Sequence, residues 1–252
     1  VVMIEGHGRE MDADLSRTVG WFTSAFPLRL DVSHATEHDA AYPGMVIRRI
    51  KERLKALPDK GLGYGVLKYL DQGSTIAHLD LPTPQIVFNY LGRFEFSADQ
   101  PDHWSMAENG LTAAKDHSDR PRLQLIDFNA MIDSKGELLY GITYCPLAHH
   151  SGSIAALSEQ FALAVQRVVD HCLNAPLENR HTPSDFPLAQ AKALQYGSVL
   201  SQEVLDQIAT QHPDYQSIVP LTSLQYGLAY ETSVLADFST DPYHVQRSEE
   251  HT

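Results

Sequence analysis

The residues best suited to chemistry stand near the start of the chain, in Glu5-Gly6-His7-Gly8-Arg9-Glu10. Two carboxylates, an imidazole and a guanidinium fall within six residues, directly after the apolar run 1–4. A carboxylate at a strand end, partly withdrawn from water, is a natural general base. Burial disfavours its charged form and lifts its pKa toward the working pH. The same segment also reads as a glycine-rich turn with solvated charges, and residue types alone leave both open. Asn89-Tyr90 sits in a second apolar run, 85–91. Tyr90 reads either as a core tyrosine with a satisfied hydroxyl or as an acid or hydrogen-bond donor in a site. Residue type alone favours the core.

Other candidates carry less. Gly61-Leu62-Gly63-Tyr64-Gly65 lacks the Gly-Lys-Ser/Thr ending of a nucleotide phosphate loop and reads as a structural loop. His149-His150 are adjacent and would point different ways on a strand, so they suit one metal poorly. Asp31, His34 and His38 have metal-ligand chemistry but no supporting motif, and solvated or capping roles suit them better. No metal site is expected. No Gly-x-Ser-x-Gly elbow is present, which gives a serine hydrolase little support.

The elements that must position these residues follow from periodicity. The β-branched run 1–4 predicts a buried strand delivering the Glu5 loop. Residues 19–32 predict an extended segment, with Pro27 marking an edge or bend. Val46, Ile50, Leu54 and Leu57 share one face of a predicted helix 42–57, which Pro58 ends. A short helix over 66–70 and a strand over 85–91 follow, and 97–121 reads as a polar surface loop. Residues 123–132 and 138–144 flank Asp133-Ser134-Lys135-Gly136 and predict an antiparallel hairpin. The strongest helix is 151–173, striped by Ile154, Leu157, Phe161, Val165, Val168 and Cys172. Residues 174–190, with Pro176, Pro183 and Pro187, read as a linker. Short helices are predicted over 201–211, with Ser201 as N-cap, and over 221–235.

Composition narrows the class. The 252 residues are 43% hydrophobic and 20% charged, which excludes a fully disordered chain. A net charge of −13 disfavours a nucleic-acid partner. No apolar run is long enough for a membrane span. Two distant cysteines, Cys145 and Cys172, suit a reducing, cytoplasmic setting. The chain opens Val1-Val2-Met3-Ile4, with no initiator methionine, signal peptide or transit peptide, as if already inside a strand.

Taken in order, several blocks resemble the epimerization domains of nonribosomal peptide synthetases. They are Ile4-Glu5-Gly6-His7-Gly8-Arg9-Glu10, Arg17-Thr18-Val19-Gly20-Trp21-Phe22-Thr23, Pro58-Asp59-Lys60-Gly61-Leu62-Gly63-Tyr64-Gly65 and Phe88-Asn89-Tyr90-Leu91-Gly92. Pro183-Ser184-Asp185-Phe186-Pro187-Leu188 resembles the segment that follows such domains. Val219-Pro220-Leu221-Thr222-Ser223-Leu224-Gln225-Tyr226-Gly227-Leu228 and Asp241-Pro242-Tyr243-His244-Val245-Gln246 look like the opening of a condensation domain.

The resemblance implies an α+β fold with a mixed sheet and packed helices. It would be the C-terminal lobe of a two-lobed, chloramphenicol-acetyltransferase-like architecture with a tunnel between the lobes. The implied organisation is the C-terminal lobe over 1–175, a linker over 176–200 and the truncated start of a condensation domain over 201–252. The implied reaction inverts the α-carbon of an aminoacyl or peptidyl thioester. The thioester rides on the phosphopantetheine of a peptidyl carrier protein domain, and other domains of the same synthetase are further partners. By resemblance Glu5 is the acid/base, Tyr90 assists the proton transfer or the enolate, Asn89 lines the tunnel, and His7 and Arg9 shape the loop. The family's His-His-x-x-x-Asp-Gly motif is not in this sequence: His149-His150 is followed by Ser-Gly-Ser and then Ile154, where the motif has aspartate. The chain alone is therefore expected to be inactive. Peptide-bond formation by a condensation domain and a noncatalytic carrier-docking module are the alternatives. Helix 42–57, with Arg48, Arg49, Lys51, Arg53 and Lys55, is one candidate carrier face, although a solvated face explains those charges more simply.

Overall fold

The computed structural model describes residues 1–9, 13–31, 42–93, 121–174 and 181–234. Glu10, His34, His38, nearly all of the expected surface loop 97–121 and the Asp241–Gln246 block lie outside them. The chain divides into two compact units, Val1–Asn174 and Ala175–Thr252.

The first unit is built on one five-stranded sheet. Its strands are β1 (Val2–Gly6), β2 (Ser24–Leu28), β3 (Ile86–Arg93), β4 (Ile126–Ile132) and β5 (Leu138–Tyr144), in the order β2-β1-β3-β4-β5. β1 runs antiparallel to β2 and parallel to β3, β3 parallel to β4, and β4 antiparallel to β5. The expected extended segment narrows to β2, and Pro27 sits on this edge strand, where a missing N–H costs no ladder bond. The expected hairpin forms between β4 and β5. The Asp133 carboxylate accepts from the backbone N–H of Lys135 and of Glu137, both at 2.9 Å, and Gly136 supplies a φ of +81°.

Two long helices cover one face of the sheet. α1 is Tyr42–Lys55. A 3₁₀ turn, Pro58–Gly61, a single α-turn α2 (Gly63–Gly65), a π-turn (Val66–Leu70) and the short α3 (Thr75–His78) lead on to β3. α4 is Ser151–Asn174. Its Ile154 is buried with Ile126 and Phe128. Phe161, two turns on, meets Phe128 at 5.3 Å and Tyr140 at 4.8 Å between ring centroids. Of the expected stripe, Ile154 and Phe161 are packed in this way, whereas Leu157, Val168 and Cys172 are exposed.

The second unit has its own small core. The stretch expected to be loop-like holds a 3₁₀ turn, Pro183–Asp185, and α5 (Pro187–Gln195). Pro183 and Pro187 occupy first turns, where the missing N–H would have had no helical partner. α6 (Gln202–Gln211) is capped as expected, with the Val204 N–H donating to Ser201 Oγ at 3.3 Å. Phe186, Leu200 and Leu205 pack together. α7 (Ser223–Val234) begins with a reciprocal cap: the Thr222 N–H donates to Gln225 Oε1 and the Gln225 N–H to Thr222 Oγ1.

Candidate active site

Pairing decides which residues meet. Ile4 pairs with Phe88 and Phe88 with Phe128, so these three share one face of the sheet. This is the face packed by α1 and α4, and it opens on a pocket of about 470 Å³ whose surface is almost wholly apolar, with Ile50, Leu54, Phe128 and Phe161 in its wall and Glu5 and Tyr90 also reaching it. One residue along, Glu5 pairs with Asn89 and Asn89 with Asn129. Alternation turns this second row to the opposite face. It spans all five strands, because Glu5 also pairs with Ala25 and Asn129 with Gly141.

Glu5, half-buried at the end of β1, has its carboxyl pushed above the ordinary glutamate range. Burial is the larger cause, and the negative charge of Asp127 adds to it. Asp127 stands on the same face of β4 and forms an ion pair with Arg122. A carboxyl held in this way gains a proton more readily than a free glutamate, which suits a group that must take up and return one.

The loop after Glu5 is fixed by its own residues. The Arg9 N–H donates to His7 Nδ1 at 3.0 Å. The Arg9 guanidinium donates to the carbonyls of Leu15 (2.7 Å) and Thr18 (2.9 Å), and it lies 4.2 Å from the centre of the Phe22 ring. Gly8 adopts φ +67°, and a Cβ there would fall 1.5 Å from the Phe22 carbonyl oxygen. The histidine, arginine and second glycine of the motif thus hold the chain that leaves Glu5.

The structure brings Glu5 and Asn89 side by side. Tyr90 takes the alternate face, beside the cavity, and is half-exposed. His7 and Arg9 act on the loop. Asp127 and Asn129, not singled out from the sequence, join Glu5 through strand register. The available signal was the alternation Ile126-Asp127-Phe128-Asn129-Ala130, in which Ile126, Phe128 and Ala130 are buried. His149 precedes α4, and its Nε2 is buried without a hydrogen-bond partner. Among the described residues, no group of three or more His, Cys, Asp or Glu could hold a metal ion, and no helix is long and apolar enough to cross a membrane.

The condensation domain family matches residues 1–190. A linear gramicidin synthase of Brevibacillus parabrevis is 35% identical across 97% of this chain and 3% of its own length. A mycosubtilin synthase of Bacillus subtilis is 32% identical across 98% of this chain and 9% of its own length. The chain thus spans less than a tenth of these curated relatives. Among solved structures, the epimerization domain from the third module of tyrocidine synthetase B is 31% identical, with a TM-score of 0.55 over 68% of this chain and 37% of that one. The mixed sheet with helices packed on it, the family match and these relatives agree: the chain belongs to the condensation domain family of nonribosomal peptide synthetases.

Proposed function

We propose that this chain supplies the glutamate-bearing lobe of an epimerization domain. The reaction inverts the α-carbon of an aminoacyl or peptidyl thioester carried on the phosphopantetheine arm of a peptidyl carrier protein domain in the same synthetase. The observation that carries this reading is Glu5, a carboxyl of raised pKa at a strand end, beside Asn89 on the sheet face away from the long helices. The likeness to a solved epimerization domain supports it.

In the proposed reaction the Glu5 carboxylate takes the α-proton, which the thioester carbonyl acidifies. The electron pair moves into the enolate, and a proton returns to the carbon from the opposite face. No atom is gained or lost. Glu5 provides one side of this exchange. The opposing acid is assigned to the lobe that carries the family's histidine motif, since this sequence has none. Tyr90, the next residue of β3, lies on the opposite sheet face and is left out of the proposed step. His7 and Arg9 hold the loop.

The test is exchange of the substrate α-hydrogen with deuterated water, using the synthetase that carries this chain and an aminoacyl-loaded carrier domain. Glu5→Gln is expected to lower exchange by at least about 100-fold, the usual size of a lost general acid–base group, while carrier binding is retained. Unchanged exchange would overturn the assignment. The family match itself favours a second reading, peptide-bond formation. In that case the unsubstituted protein would join two carrier-bound aminoacyl groups and show no exchange.

A further inference from the structure

The row containing Glu5 does not end at Asn89. Across the sheet it reads Ala25, Glu5, Asn89, Asn129, Gly141, three polar side chains on adjacent strands between two small residues. Asparagine is disfavoured in strands, and here it recurs at one level of the two neighbouring strands β3 and β4. Among the described residues, neither the Asn89 nor the Asn129 carboxamide has a hydrogen-bond partner. Asn129 is exposed, and a Cβ at Gly141 beside it would meet nothing within 4 Å. Among the described residues nothing internal accounts for Asn129: it packs no core, caps no helix and closes no turn.

We propose that Asn129 binds a secondary amide of the substrate, holding the extended thioester along the row while its α-carbon stands at Glu5. This deepens the epimerization reading and rests on it. A carboxamide offers a donor and an acceptor to the N–H and C=O of an amide. Adjacent strands lie about 4.8 Å apart, so Asn129 is roughly 10 Å from Glu5 across two spacings, and a ligand that engages both must extend well beyond the reacting centre. Such an amide has two sources in the proposed substrate: the pantetheine arm beyond the sulfur, or the peptide bond preceding the reacting residue.

Three soluble thioesters of one amino acid separate these sources. The S-ethyl thioester has neither amide, the N-acetylcysteamine thioester has the arm-side amide, and the N-acetylated S-ethyl thioester has the peptide-side amide. KM and kcat for deuterium exchange are measured in the synthetase with Asn129 and with Asn129→Thr, a residue that suits a strand and keeps the fold. One amide-bearing thioester is expected to have the lower KM in the unsubstituted protein. Asn129→Thr should raise that KM about 3- to 10-fold, the value of one neutral hydrogen bond, and leave the S-ethyl KM and kcat unchanged. The affected substrate names the source. Asn129→Gln, which keeps the carboxamide, should recover part of the preference. Equal changes on all three substrates, or none on any, would overturn the role of Asn129 while leaving epimerization standing. No exchange in the unsubstituted protein would overturn both.

Discussion

At the residue scale, Glu5 carries opposite consequences for stability and for activity. Its raised pKa means that folding favours the protonated form. Stability from that preference is complete below the ordinary glutamate pKa and is lost as pH rises through the folded-state value. At neutral pH the desolvated carboxylate is a liability, one the proposed base function would offset. Glu5→Gln should therefore unfold at a higher temperature than the unsubstituted chain at neutral pH, with the gap closing in acid. Thermal melts at several pH values check this, and a lower melting temperature at neutral pH would contradict it. Asp127 contributes through like charge, second to burial. The exchange rate should rise with pH as Glu5 ionises, and Asp127→Asn should move that limb to lower pH. The shift should be smaller than the whole displacement from an ordinary glutamate, because burial remains. A limb that stays in place would show that Asp127 does not sense Glu5.

At the element scale, what was legible depended on how far apart the partners lie in the chain. α4, α1 and the β4–β5 hairpin are local patterns, and the apolar stripe of α4 and the turn chemistry at Asp133–Gly136 gave them away. Glu5 was singled out as a candidate because its whole motif lies within six residues. Asn129 and Asp127 were not, because parallel pairing of β1, β3 and β4 joins segments separated by some 80 and 40 residues, which no local period reveals. Tyr90 is the converse case. Resemblance assigns it and its neighbour Asn89 to one tunnel, but a strand turns consecutive residues to opposite faces, and adjacency in sequence conceals that. In the second unit, Pro183 and Pro187 are ambiguous in sequence because the same lack of an N–H suits both a break and a helix start. The glycine loop after α1 shows local sequence serving distant packing. Gly61 holds φ +87°, and a Cβ there would lie 2.3 Å from the Phe26 ring on β2. Asp59 and Lys60 before it also adopt positive φ. Gly61→Ala should cost roughly 2–5 kcal/mol, combining left-handed backbone strain with overpacking. Urea unfolding measures it, and a cost below about 0.5 kcal/mol, the scale of an ordinary surface change, would show that the loop relaxes freely.

At the scale of the whole molecule, the cores are separate in composition. Ile126, Phe128 and Ile154 all belong to the first unit, and Phe186, Leu200 and Leu205 all belong to the second. The condensation family match nevertheless runs to residue 190, past the boundary at Asn174 and into the Pro183–Leu188 block. Kinship and packing therefore divide the chain at different places, and perturbing one core shows which division governs stability. Leu205 is 1% exposed, and Leu205→Ala removes it at a cost of about 2–5 kcal/mol. If each unit is stabilised by its own core, that cost falls within the second unit. Hydrogen exchange read by mass spectrometry resolves the answer along the chain, because protection reports the local opening free energy. Peptides covering α6 should lose protection, while those covering β4 and α4 keep theirs. Loss of protection in both sets together would mean that the family boundary, and not the packing boundary, marks the cooperative unit.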